Sequence, residues 1–553
     1  GFKFKVSEPK FSFFTKLFGY KIIYLRLLGV VFYTIIGVGV YLSLKTIYKN
    51  WIAIIAAITA VLYLQTEVAQ VFYDYVRLMD IFAIFSVLFL LLAIKDIFKN
   101  KLGHNILYSG ILTALFILVK QNMGLIFFAY VVVLLIFIKY YCGIDNKQFG
   151  HLLGQYIFAV TIPIIFVFMI LDVNGILHNF LSASGGTALA AKGGFKVILF
   201  NWIIRLYPIL KIEKYKIFMI AILFGILKLL CIYNKHIEED NKLNNFLGLG
   251  YVVTIFVMLF MMATANKMGD NDFWTYLIDP YLIFFSCIIM SIYVIYIVIR
   301  YHNTNDNCAD DNFVLKELLS FVLLTSYFAI SYGCGTSGGL AEGQATLGVA
   351  FILATLLELT YFKNGWIVRI LLVIICIFIS TQSIYFKMAH TYYWWESDEA
   401  NYWHSNYYTD IPLLEGIKLS PETKKMYEGI YYIVQNNTNN EDSIFCFPQI
   451  SSIYALCDRR DPGLFSKVQW FDVVTASKLQ KDMNVIKEKM PKIIIIYNVQ
   501  ENVYKSHEKL FNNGRISATR QMRDELLMLT TKYYSYNRTF QANHNSVTVY
   551  MKK

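Results

Sequence analysis

The chain has 553 residues, 57% of them hydrophobic and 17% aromatic, and only 16% charged. Soluble domains sit near half apolar with about a quarter of their residues charged, so this composition excludes an ordinary soluble enzyme and points to the membrane. The formal net charge of +12 does not call for a nucleic-acid partner, because much of the excess Lys and Arg lies in short loops between hydrophobic runs, where positive-inside orientation puts it.

Those runs recur through the first 386 residues. Segments such as 81–94, 123–138 and 281–299 approach or reach the roughly 20 apolar residues that cross a bilayer as a helix. Spans are predicted over 24–45, 51–65, 80–98, 105–119, 123–140, 156–172, 216–233, 247–264, 280–300, 313–332, 345–362 and 366–386, twelve in all. Strict alternation puts Lys45, Lys49, Lys95, Lys99, Lys101, Lys139, Lys147, Lys235, Lys242, Arg300 and Lys363 on one side, which should be cytoplasmic. The loops 66–79, 120–122, 172–215, 265–279 and 333–344 and both chain ends then face outward. Residues 1–23 become part of a first external loop that begins without Met or signal peptide, so one further span is expected upstream, giving about thirteen. The apolar run 195–210 is interrupted by Asn201 and Arg205, and counting it would put Lys235 and Lys242 outside. An interfacial helix carrying Trp202 and Tyr207 fits better.

After Phe386 the hydropathy falls. The aromatic stretch Tyr392-Tyr393-Trp394-Trp395 resembles a membrane-interface anchor leading into a soluble, extracytoplasmic domain over 387–553. That domain reads as α/β, with a helix at 422–437 and strands at 443–447, 492–497 and 546–551. The predicted fold is therefore mainly α: a polytopic transmembrane helix bundle over 24–386 with a C-terminal soluble α/β domain. Of eight cysteines, Cys142, Cys231, Cys287, Cys308, Cys334 and Cys376 lie in or beside spans as small packing residues. Cys446 and Cys457 either pair, if their domain is extracytoplasmic, or stay as thiols. There is no zinc-type Cys/His spacing, no Gly-x-Ser-x-Gly elbow, and few histidines, so a familiar hydrolase triad is not expected.

Ionisable groups where a helix meets an external loop are the informative ones, because such groups are costly in a membrane and tend to mark function. Arg77 and Asp80, three apart, share a helix face at the outer end of a span, either as a simple ion pair or as part of a site. Lys120, in Lys120-Gln121-Asn122 between two strongly apolar runs, is a point charge suited to a phosphate, or a snorkelling helix end. The polar loop with Lys267, Asp270, Asp272, Trp274 and Tyr276 could hold a sugar or lipid phosphate, or be plain solvated loop. Two glycine-rich stretches carry less. The one at 182–194 lacks the Gly-Lys-Ser/Thr ending of a phosphate-cradling loop, and Gly333-Cys334-Gly335-Thr336-Ser337-Gly338-Gly339 reads as a tight turn.

Several landmarks together resemble the C-type (GT-C) polyprenyl-phosphate-dependent membrane glycosyltransferases, the superfamily of protein O-mannosyltransferases and the lipid A aminoarabinose transferases. They are Pro9-Lys10-Phe11-Ser12-Phe13-Phe14, Leu17-Phe18-Gly19 and Leu25-Arg26-Leu27; Arg77-Leu78-Met79-Asp80 opening a helix; Gly110 to Lys120-Gln121-Asn122-Met123-Gly124; and Asp279-Pro280. At the soluble end, residues 442–448, 454–459, Pro462 and 491–496 are similar to the C-terminal domains of bacterial members. The resemblance implies an inverting transfer of a sugar from a polyprenyl-phosphate donor to an acceptor at the outer face of an inner or plasma membrane. Lys120 and Arg77 would meet the donor phosphate, Asp80 would support them, and an acidic residue of the first external loop, expected upstream of Gly1, would serve catalysis. Its partners would be membrane lipids, the lipid-linked donor and an acceptor; no organic cofactor is expected, and no metal site can be assigned. A flippase or transporter of lipid-linked sugars and an envelope glycan polymerase or ligase are the alternatives.

Overall fold

The computed structural model describes residues 21–65, 75–98, 103–142, 144–181, 366–391 and, with scattered gaps of one or two residues, 393–553, together with Gly19 and a few positions within 347–357. The predicted spans at 216–233, 247–264, 280–300 and 313–332, the expected interfacial helix at 195–210 and both glycine-rich stretches lie outside the described residues. Within 345–362, Leu347, Ala350, Phe351, Leu353, Ala354 and Leu357 are helical and buried.

Among the described residues the regular structure of the N-terminal part is helical: α1 (Ile22–Lys45), α2 (Asn50–Leu64), α3 (Tyr75–Phe98), α4 (Asn105–Val119), α5 (Gln121–Cys142), α6 (Asn146–Val173) and the short α7 (Leu177–Leu181), with α8 (Trp366–Ala389) before the C-terminal region. Among the described residues, α1, Arg77–Ile97 of α3, α6 and Leu372–Ala389 of α8 are long and apolar enough to cross a membrane, while α2, α4 and Met123–Ile136 of α5 are shorter apolar helices. The spans predicted at 24–45, 51–65, 80–98, 105–119, 123–140, 156–172 and 366–386 each fall on one of these helices. One boundary differs: α6 starts at Asn146, not 156. The Asp145 carboxylate accepts from the backbone N–H groups of Lys147 (2.8 Å) and Gln148 (2.9 Å), and Lys147, Gln148 and His151 are exposed, so the first turns are a capped polar extension of the apolar run.

Helices as uniformly apolar as these gain little from the hydrophobic effect by meeting each other in lipid; small residues and interhelical hydrogen bonds set the packing. α3 sits against α1 and α4, and α4 against α3, α5 and α6. A Cβ on Gly110 of α4 would lie 2.6 Å from the Ala159 Cβ and 2.9 Å from the Tyr156 carbonyl oxygen, so only glycine admits α6 this closely. Beside that contact runs a buried hydroxyl chain. Ser86 Oγ lies 3.0 Å from the Ser109 carbonyl oxygen and 2.9 Å from Thr113 Oγ1, and Tyr156 donates to Thr113 Oγ1 at 3.1 Å, tying α3, α4 and α6 together. On the other side of the bundle, Ser380 of α8 donates to Thr59 of α2 at 3.4 Å.

The C-terminal region is α/β. After the two-stranded ribbon β1 (Tyr393–Trp394) and β2 (Ser397–Asp398) come α9 (Pro421–Asn437), β3 (Ile444–Phe447), α10 (Ser452–Cys457), α11 (Ala476–Lys489), β4 (Ile493–Tyr497), α12 (Glu501–Phe511), α13 (Ala518–Tyr533), β5 (Tyr534–Ala542) and β6 (Asn545–Lys552). The sheet order is β3-β4-β6-β5, with β3 and β4 parallel and the remaining pairs antiparallel. Continuous apolar runs suit strands covered on both faces. Ile444, Cys446, Ile493 and Ile495 pack with Met426, Ile430 and Val434 of α9, whereas Phe445, Phe447, Ile494 and Ile496 pack with Leu479 and Ile486 of α11 and Leu526 of α13. The helix expected at 422–437 and the three expected strands fall on α9, β3, β4 and β6; β5 has no counterpart among those expectations. Cys446 and Cys457 are both buried free thiols; burial pushes the first well above its ordinary pKa and the second up to about 12.

Candidate functional site at the Lys120 end of the bundle

The described helices have two distinguishable ends. At one, the Lys95 ammonium donates to the Thr46 carbonyl oxygen and Asn105 donates to Asp96 at 2.7 Å, which brings the C-terminal ends of α1 and α3 level with the start of α4. At the other, Lys21, just before α1, forms a 2.6 Å ion pair with Glu415 of the C-terminal region. The first turns of α3, with Arg77 and Asp80, lie at this second end.

Arg77 Nη1 and Asp80 Oδ2 are 2.9 Å apart, with 1% and 4% of their side chains exposed. A charge removed this far from water persists only with a partner, and the pair is neutral as a unit. The Arg77 guanidinium also lies 5.6 Å from the centre of the Tyr33 ring on α1, so the cation is held from two helices. Tyr33 is a contributor that sequence reasoning missed; in an aromatic-rich span nothing separates it from its neighbours.

Lys120 is the single residue joining α4 to α5, extended at φ −145° and ψ 92°. The chain doubles back there: the rings of Phe116 and Phe127 are 5.7 Å apart, and a Cβ on Gly124 would fall 2.5 Å from Ile117 Cα. The depth of Lys120 follows from register. Asn105 is level with Asp96, and Ser109 and Thr113 are level with Ser86. Continued at equal rise along two antiparallel helices, that register brings Lys120 to the level of Arg77 and Asp80. α4 has 15 residues and so spans about 22 Å, shorter than the roughly 30 Å of hydrocarbon in a bilayer, and Lys120 at its end is partly exposed. The three charged positions singled out from sequence thus share one level on adjacent helices. The fourth set, Lys267, Asp270, Asp272 and Tyr276, lies outside the described residues.

Elsewhere the perturbed groups of the C-terminal region belong to its packing. Asp482, on α11, accepts from the backbone N–H of Phe465 at 2.6 Å, and burial raises its pKa. Burial lowers that of His507, which accepts from Trp470 Nε1 at 3.2 Å. Arg520 and Arg523 lie over the Tyr504 ring and pair with Glu501. Among the described residues, no group of three or more His, Cys, Asp or Glu side chains is placed to hold a metal ion.

Residues 11–167 match the family model described as dolichyl-phosphate-mannose-protein mannosyltransferase, a stretch that contains α1 to α5, most of α6, and all three charged positions. The matched stretch is similar to that family, which lies within the GT-C superfamily. No curated protein matches the chain. Among solved structures, the oligosaccharyltransferase of Archaeoglobus fulgidus, crystallised as a complex with zinc and sulfate, is similar at 13% identity with a TM-score of 0.42. That likeness covers 94% of this chain, which spans 61% of the length of the archaeal protein. In the matched stretch the Gly110, Lys120 and Gly124 landmarks read from sequence coincide with the close α4–α6 contact and the α4–α5 hairpin.

Proposed function

We propose that the protein is a multi-pass membrane glycosyltransferase that moves a sugar from a polyprenyl-phosphate donor to an acceptor hydroxyl, at the membrane face carrying the C-terminal domain. The observation that carries this reading is the GT-C family match over 11–167; the shared level of Lys120, Arg77 and Asp80 in that stretch supports it. In the proposed reaction the acceptor oxygen attacks the anomeric carbon, the bond from that carbon to the phosphate oxygen breaks, and polyprenyl phosphate departs with the bonding pair. Configuration inverts, and a carboxylate of the first external loop takes the acceptor's proton. An ammonium at the level of the buried Arg77 and Asp80 suits the departing phosphate, because a cation in a site with little water stabilises developing negative charge more than one in bulk solvent. Lys120 is that cation, and Arg77 joins it when its contact with Asp80 is shared with the phosphate. Asp80 is a positioning residue. On this reading the C-terminal domain is extracytoplasmic.

The test is donor turnover by the protein in liposomes with radiolabelled polyprenyl-phosphate sugars. Lys120→Ala should lower the rate by about 10²-fold or more, with the protein still folded by its thermal melt, while Lys120→Arg retains part of the activity. No donor consumption by folded wild type across a broad sugar panel, with labelled lipid instead crossing the bilayer, would replace this reading by a flippase. Long-chain products in place of single-sugar additions would replace it by a polymerase.

A further inference from the structure

The exposed residues of α8 form a stripe. Trp366, Ile370, Ile374, Ile377, Ile384 and Tyr385 fall on one side of the helix and are all exposed and apolar, while Cys376 and Ser383 on the opposite side are buried. Such a stripe on a helix long enough to span suits acyl chains. The stripe does not stop where α8 stops. Trp403, from the C-terminal region, sets its ring 5.6 Å from that of Tyr385, one turn before the helix end, and is itself 46% exposed.

Trp403 belongs to a short loop in which Tyr402, Tyr407 and Tyr408 are also exposed. Scattered single aromatics on a surface need no explanation, but four in one short loop make a patch. The loop does not bury them, because its polar groups are bonded within it. Asn401 Oδ1 accepts from the His404 N–H at 3.0 Å, Asn406 donates to the Trp403 carbonyl at 2.8 Å, and Tyr407 exchanges backbone hydrogen bonds with Leu419 at 3.1 and 2.8 Å. The rings are thus held outward on a fixed backbone. Lys418 places its ammonium 5.9 Å from the Tyr408 ring centre, adding a cation at the rim.

We infer that this loop is a membrane-docking surface: the rings of Tyr402, Trp403, Tyr407 and Tyr408 lie in the phospholipid headgroup layer of the bilayer that α8 crosses. Trp and Tyr favour that layer because an apolar ring body and a polar tip are both satisfied there, and a Lys at the rim meets lipid phosphate. The continuous Tyr385–Trp403 contact fixes the height, since the loop begins where the lipid-facing stripe of α8 ends. The inference rests on the membrane reading of α8 and not on the sugar-transfer reading. Docked in this way, the C-terminal region is held at a fixed height over the bilayer.

The test places photoreactive p-benzoylphenylalanine singly at positions 402, 403, 407 and 408 of the whole protein in nanodiscs of phosphatidylethanolamine and phosphatidylglycerol. Ile374, on the exposed stripe of α8, serves as the lipid-facing control, and Met528, exposed on α13, as the remote one. Irradiation should add the mass of one phospholipid at the loop positions as it does at Ile374, and none at Met528. Lipid capture at Ile374 with none at positions 402, 403, 407 and 408 would overturn the inference, whether those sites are unmodified, joined to protein, or joined to an added oligosaccharide.

Discussion

Arg77 and Asp80 are each other's counter-charge at 2.9 Å with almost no solvent at either group. Removing one deprives the other of its 2.9 Å partner where water scarcely reaches. Arg77→Ala and Asp80→Ala should therefore each cost about 3–5 kcal/mol, while replacing both together by Leu should cost less than either. Thermal unfolding of the purified protein in detergent checks this. Single variants melting with the wild type would show a hydrated pair of no structural weight. The pair was legible in the sequence because a three-residue spacing at the mouth of an apolar run leaves two charges no cheaper arrangement than each other. Lys120 was legible for a similar reason, as a cation between two apolar runs. Its depth was not, since the level of α4 against α3 is set by Ser86, Ser109 and Thr113, which in a sequence read only as small residues inside spans.

At the scale of elements, the α4–α5 hairpin depends on a missing side chain. A Cβ at Gly124 would fall 2.5 Å from Ile117 Cα and 2.6 Å from Ile117 N, and backbone atoms cannot swing aside as a side-chain end can. Gly124→Ala should open the hairpin and destabilise the protein by about 1–3 kcal/mol. Gly154→Ala in α6, where the added methyl meets nothing within 4 Å, should leave the melt unchanged or slightly raised. Equal melts for the two variants would mean that the helices part there at no cost. Element type was readable wherever a run was long or continuously apolar, as in α1 to α6, α8, β3 and β4. β5 was not, because only Tyr534, Phe540 and Ala542 are buried along it. It has no two-residue alternation of its own and takes its strand form from pairing with β6.

Over the whole molecule, the two ends of the bundle differ in kind: Lys45, Lys95 and Lys147 gather toward one, and the C-terminal region toward the other. On the proposed reading, positive-inside orientation puts the lysine-rich end in the cytoplasm. Reporter cysteines check this in intact cells with a membrane-impermeant maleimide, against the wild-type background. Asp410→Cys should react at once, and Lys49→Cys only after permeabilisation; the reverse would invert the protein in its membrane. The one-residue link at Lys120 bears on how such a molecule is made. With no loop between them, α4 and α5 cannot enter the bilayer at separate times, since neither has slack to wait outside while the other inserts. On the proposed orientation they enter as a pair, with Lys120 at the leading tip. A lysine costs about 2.5–3.5 kcal/mol near the bilayer centre, and each Leu, Ile, Phe or Val in the pair returns about 0.3–0.6 kcal/mol. The apolar runs on either side of Lys120 are thus what takes its charge across during biosynthesis.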